Sequence, residues 1–422
     1  MRGFRSEEES ATSMSRDAAQ APTADATIAP EEREPQKDTD LSIGRRSPAT
    51  GGRVPELDGL RGLAISLVIV CHYVGGAVHA PLGFWMHHLL SVLAVGWSGV
   101  DLFFVLSGFL IGGILLDERK SPRYFSTFYA RRVYRIFPIY YLWLGIFALL
   151  AAGALWLAPG RYAVETKDLT QLPYYLLYLQ NMRYALTPFQ WIWLSVMWSL
   201  AVEEQFYLVA PPLIRFFSER KVLVILLGTM LVVPVLRVIA LRFLPDGTFV
   251  AVLATPCRAD ALAAGVLLAI VWRKQWFRDF LASRPGFLKR SLLILALGFA
   301  ALLWWLAHPI NVVTVTIGYT WLAIFYSCLL LTAISQPQGR LASIMRVKWL
   351  RRLGMISYCV YLVHATINQF AHRLILHDAP EVYNLAGVGV TLLALAMSLA
   401  VASMSWKFFE KPLLMRGHRY QY

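Results

Sequence analysis

The 422 residues are 57% hydrophobic and 16% charged, with a mean hydropathy of +0.52. Soluble domains carry about 25% charged residues, so this composition excludes a water-soluble globular protein. The net charge of +14 does not call for a nucleic-acid partner, because membrane proteins collect Lys and Arg in the loops of one side.

Residues 1–54 are rich in Glu, Ser, Ala, Pro and Asp and nearly free of large apolar side chains. Such a segment cannot bury enough surface to offset its ordering entropy. It also lacks the apolar core of a signal peptide. It is expected to be a disordered cytoplasmic tail.

From residue 62 onward, apolar runs long enough to cross a bilayer recur. Ten spans are predicted, at 62–79, 95–116, 136–157, 194–215, 222–242, 251–272, 291–307, 313–334, 354–375 and 386–408. The first opens with "LDGLRGLAISLVIVCH". Arg61 and His72 are eleven residues apart, three turns on one helix face and about 16 Å of rise. Histidine is the side chain suited to move a proton near neutral pH; the bland alternative is a buried histidine bonded to a neighbouring helix.

The second span, "GWSGVDLFFVLSGFLIGG", carries Asp101 among small residues (Gly96, Ser98, Gly99, Ser107, Gly108, Gly112, Gly113) that permit close helix approach. Asp101 is a candidate to orient a histidine or to pair with Arg258. Before the third span, "FYARRVYRIFP" gathers Arg131, Arg132 and Arg135. Arg132 and Arg135, at i and i+3, share a face and suit phosphate binding; lipid contact is the alternative. The aromatic stretch at 172–182 is too short to span and is expected at the interface.

The fourth span, "WSLAVEEQFYL", places Glu203 and Glu204 side by side in its outer half. Two carboxylates facing lipid are costly, so this segment is expected to line a polar cavity or meet cations. Ser199, Glu203 and Tyr207 form a stripe at i, i+4 and i+8 that suits a hydroxylated acceptor. The sixth span begins with Arg258 and Asp260, read as an ion-pair network with Asp101 or a glutamate. His364, in the ninth span, either faces the same cavity or packs as a core histidine. The cysteines (Cys71, Cys257, Cys328 and Cys359) show no CxxC spacing, so neither a disulfide framework nor a metal site is indicated. Alternate loops hold 27 Lys and Arg on one side against 6 on the other, Arg237 and Arg242 being assigned to the second. That asymmetry places both termini in the cytoplasm, and the long apolar runs without ten-residue alternating strands predict an all-α polytopic bundle.

These motifs together resemble the acyltransferase-3 family of integral membrane acyltransferases. The likeness runs from about Glu56 to Pro412 and is carried by the Arg-x10-His spacing, "GVDLFFVLSGFLI", "RRVYRIFP", "WSLAVEEQFYL", "CRADALAAG", "ISYCVYLVH" and "FEKPLL". The resemblance implies a transmembrane domain over 55–412, followed by a short cytoplasmic tail at 413–422, in a cell membrane such as the bacterial inner membrane. It implies an acyl group, commonly acetyl, taken from cytoplasmic acyl-CoA and delivered to a sugar hydroxyl of a surface polysaccharide, lipopolysaccharide or glycosylated metabolite. By the same resemblance Arg61 and His72 are essential, and Arg132 and Arg135 contact CoA. A fused SGNH esterase-like domain, present in some members, is not expected here.

On this reading His72 is the general base or the acyl-carrying nucleophile. The two glutamates bind the acceptor or tune the histidine from a more outward position. A proton-coupled transporter or flippase, and a non-catalytic polysaccharide-export partner, are the rival readings. No inverted repeat or matched pair of broken helices supports the transporter.

Overall fold

Pro55 opens the first helix, α1 (Pro55–Val70). Its missing N–H falls where no partner exists, and Glu56 and Asp58 stand at the positive end of the helix dipole. The structure is a computed structural model and describes residues 54–75, 84–157, 167–187, 194–306 and 312–422. The expected N-terminal tail lies outside the described residues.

After Val70 the backbone rewinds into one π-turn, Cys71–Gly75. His72 therefore sits in a rewound turn, not on the straight α-helix that the eleven-residue spacing assumes. The chain continues through α2 (Phe84–Ala94), α3 (Gly99–Asp117) and α4 (Tyr124–Leu157). The short helices α5 (Leu172–Leu176) and α6 (Gln180–Leu186) occupy the aromatic stretch. Then come α7 (Trp198–Phe216), α8 (Glu219–Phe243), α9 (Gly247–Leu253), α10 (Ala259–Trp272), α11 (Gln275–Ala282) and α12 (Phe287–Leu306). The last group is α13 (Tyr319–Ser335), α14 (Arg340–Met345), α15 (Lys348–Ile375), α16 (Leu385–Ser405) and α17 (Lys411–Gly417).

Each predicted span overlaps a described helix, but their composition divides them. Six described helical stretches are long and apolar enough to cross a membrane: 55–75, 89–117, 124–153, 219–243, 314–335 and 385–417. The pair α11 and α12, bent by 85° at a short break, makes a seventh if counted as one span. The other three helices, α7, α10 and α15, fall short of that test. α10 is apolar but only 14 residues long, α7 carries Glu203, Glu204 and Arg215, and α15 carries charges and two histidines.

The small residues of α3 do what their pattern predicts. A Cβ on Gly108 would lie 2.1 Å from the Leu262 carbonyl oxygen, and one on Gly265 of α10 would lie 2.2 Å from that of Val105. The two helices thus meet backbone to backbone, the geometry small residues allow. α3 is deeply buried, whereas α8 turns Val224, Leu227, Leu231, Val235 and Val238 outward. α1 packs along α15, and α15 along α16. Polar groups on α1, α3, α7 and α15 therefore face one another inside a sleeve of apolar helices.

Candidate active site

The site begins with the length of α4. The arginine cluster was expected at the mouth of a helix starting near residue 136, but the helix starts at Tyr124. At 1.5 Å per residue, Arg132 and Arg135 stand roughly 12 and 16 Å along it, inside the bundle. They line one cavity of about 100 Å³ together with Arg61 of α1, Ser107 of α3, Ser199, Glu203, Glu204 and Tyr207 of α7, and Tyr361 of α15.

Within this cavity the Tyr207 hydroxyl donates to Glu203 Oε2 at 2.8 Å. Ser199 Oγ lies 2.7 Å from the Tyr361 hydroxyl, which itself donates to the Val196 carbonyl at 2.8 Å. Arg61 Nη1 lies 3.3 Å from Asp58 Oδ1. The Arg132 guanidinium stands 5.9 Å from the ring centres of both Phe128 and Tyr207, within cation–π reach. Its Nε is buried with no hydrogen-bond partner among the described residues.

One expectation changes here. The carboxylates were placed outward of the histidine; instead Glu203 and Glu204 share the cavity of the three arginines. The early start of α4 explains it. Glu203 of α7 meets the first third of α4, where Arg132 and Arg135 stand. Arg131, although adjacent in sequence, points elsewhere. One residue along a helix is a 100° turn, and Arg131 donates from Nε and Nη2 to the Tyr420 carbonyl at 3.0 and 2.7 Å.

His72 and His364 do not line this cavity. They meet each other: His364 Nε2 lies 3.2 Å from His72 Nδ1. His364 is wholly buried and His72 half-buried. Tyr361 stands between cavity and histidines, lining the first and holding its ring centre 5.8 Å from that of His364.

Asp101, Arg258 and Asp260 form a separate buried network. Arg258 donates to Asp101 at 2.8 Å. Asp260 instead receives both Nη2 bonds of Arg237, at 2.7 and 2.8 Å, and a bond from the Thr320 hydroxyl at 2.6 Å. Arg237, assigned to the outer side in the charge count, is fully buried within α8. An arginine well inside the apolar run 222–242, five residues before Arg242 at its end, was the signal that marked it. Tyr361 had the weaker signal of standing one turn before His364. All four cysteines are free thiols, and no group of three His, Cys, Asp or Glu among the described residues is placed to hold a metal.

The family model described as "Acyltransferase domain" matches residues 54–406. The chain belongs to this acyltransferase family. Among relatives of this chain, O-acetyltransferase OatA of Staphylococcus aureus is 27% identical over 382 residues, which cover 87% of this chain and 58% of that protein. Peptidoglycan O-acetyltransferase OatA of Listeria monocytogenes is 28% identical over 381 residues, covering 86% of this chain and 56% of that one. The putative peptidoglycan O-acetyltransferase YrhL of Bacillus subtilis is 26% identical, with 87% and 56% covered. The chain thus spans under three-fifths of the length of these relatives. No solved structure matches it.

Proposed function

We propose that this chain is a membrane O-acyltransferase that moves an acyl group, acetyl in the first instance, from cytoplasmic acyl-CoA to a sugar hydroxyl. Glycans of the cell-wall type are the first acceptors to test, given what the relatives are called. The observation that carries this reading is the convergence of three guanidinium groups and two carboxylates on one internal cavity.

Arg132 and Arg135, with Arg61, hold the anionic cosubstrate; guanidinium forks suit phosphate oxygens. The buried Arg132 Nε, without a partner among the described residues, supports this, since such a donor is costly unless something accepts from it. A cavity of about 100 Å³ is below the 300 Å³ or more typical of ligand sites. Glu203, held by Tyr207, and Glu204 bind or orient the acceptor hydroxyl. His72 takes the hydroxyl proton as general base while the oxygen attacks the thioester carbonyl.

The test is the purified protein in nanodiscs with labelled acetyl-CoA and a panel of glycan fragments. Wild type consumes acetyl-CoA and labels a glycan; His72→Ala lowers turnover by on the order of 10² to 10⁴. A wild-type protein that neither binds nor consumes acyl-CoA overturns the function. Undiminished turnover in His72→Ala overturns the assignment of the base.

A further inference from the structure

We propose that His364 is a positioning residue: it fixes His72 in the tautomer that carries its proton on Nδ1, leaving Nε2 as the basic nitrogen. This rests on His72 being the base of the proposed reaction.

The argument is a count of donors and acceptors. His364 Nδ1 lies 3.1 Å from the Val360 carbonyl oxygen and 2.8 Å from that of Tyr361. Carbonyl oxygens only accept, so Nδ1 of His364 carries a proton. In the neutral ring Nε2 is then an acceptor. The atom 3.2 Å from it is His72 Nδ1, which must donate. The arrangement that satisfies these contacts has His72 protonated on Nδ1 and bearing its lone pair on Nε2; the Val68 carbonyl also stands beside the His72 ring as an acceptor. The facing nitrogens have room for one proton between them, so the pair accepts a single further charge.

The fold holds His364 for this task. Its ring is wholly buried. The Tyr73 hydroxyl donates to its backbone carbonyl at 2.8 Å and lies 3.3 Å from Ser398 Oγ of α16. His72 and Tyr73 are successive residues, yet both reach His364. On a regular α-helix they would diverge by 100°; here they belong to the π-turn Cys71–Gly75. A rewound turn at such a place is a known mark of function.

In the reaction the acceptor O–H proton passes to His72 Nε2. The freed oxygen pair forms the new C–O bond, and the C–S bond breaks with its electrons leaving on the thiolate. The thiolate takes the proton from His72 Nε2–H to give CoA thiol, and the base is restored. His364 gives and takes no proton. It accepts from Nδ1–H throughout, and that bond strengthens while His72 is cationic.

Two substitutions separate the acceptor role from mere packing. The carboxamide of Asn can replace Nδ1 towards the backbone carbonyls but cannot reach His72. That of Gln can present its oxygen where Nε2 stood. We expect His364→Asn to lower kcat on the order of 10²-fold, with the acyl-CoA KM within about twofold, and His364→Gln to recover most of the loss. In ¹⁵N spectra of imidazole-labelled protein, the His72 signals, assigned by their loss in His72→Ala, show protonated Nδ1 and bare Nε2 in wild type and mixed tautomers in His364→Asn. Wild-type kcat in His364→Asn, or equal losses in Asn and Gln, overturns the positioning role while an inactive His72→Ala leaves the base in place. Full turnover in His72→Ala removes the base itself.

Discussion

Arg258 and Arg237 are both fully buried, and each solves the problem of its charge differently. Arg237 is bonded from three nitrogens: to the Cys257 and Thr316 carbonyls, the Thr320 hydroxyl and both oxygens of Asp260. Arg258 has one bond, to Asp101, and its Nε and Nη1 find no partner among the described residues. Its guanidinium instead lies 3.9 Å from the ring centre of Tyr319, with Phe104 and Trp198 at 5.7 Å; aromatic faces attract a desolvated cation. Neutralising Asp101 leaves that cation uncompensated. Asp101→Asn is expected to cost roughly 3–5 kcal/mol, and Asp101→Leu with Arg258→Met to cost clearly less. Thermal unfolding in detergent measures both, and equal losses would refute the pairing argument. At the cavity the expected effect is kinetic. Arg132→Lys and Arg135→Lys keep charge but lose the fork, so the acyl-CoA KM should rise about tenfold with kcat little changed. An unchanged KM would remove these arginines from the cosubstrate site.

Helix contacts decide whether such residues meet, and those contacts hang on small residues. A Cβ on Gly354 of α15 would lie 1.8 Å from the Asp58 carbonyl oxygen of α1. Carbon and oxygen need about 3.3 Å, so alanine there must part α1 from α15 by more than an ångström. The bond between His72 and His364 joins the same two helices at 3.2 Å and would not survive that shift. Gly354→Ala is therefore expected to lower turnover by at least tenfold in protein that still purifies as a single species. Normal turnover would show the two helices to be less tightly coupled. This contact also marks what the chain could and could not disclose. The close-packing face of α3 was legible, because seven small residues crowd one stretch of sequence. Gly354 stands alone in its helix, and its reason lies on an element almost 300 residues earlier. The histidines were each conspicuous, but their pairing across 292 positions was not. The glutamates were misplaced in depth because hydropathy starts α4 twelve residues late: "YFSTFYARRVYR" is polar in composition yet continues the same helix.

At the scale of the whole chain, the three span helices that fail a test of length and apolarity all lodge ionisable groups, while 55–75 and 124–153, which pass it, carry Arg61, His72, Arg132 and Arg135. α7 holds the glutamates, α10 follows Arg258 and holds Asp260, and α15 holds His364. A helix that lodges ionisable groups in a bilayer must turn them away from lipid. The apolar helices supply that shelter, and α8 with its exposed Val and Leu face is the clearest case. If all ten helices cross, as the Lys and Arg asymmetry of the loops predicts, the connections alternate between two sides. Ser283, between α11 and α12, and Ser343, on α14, are then cytoplasmic. Asp246, between α8 and α9, and Asp378, between α15 and α16, are on the opposite face. All four are exposed, so cysteines placed there are reachable from water. In a background with the four native cysteines replaced, a membrane-impermeant maleimide applied to sealed cells is expected to label Asp246→Cys and Asp378→Cys. Ser283→Cys and Ser343→Cys should react only after the membrane is opened. Labelling of Ser343→Cys in sealed cells with Asp378→Cys protected would invert the orientation. Labelling of both would mean that α15 does not cross, and the histidine pair would then have to be approached from water on one side alone.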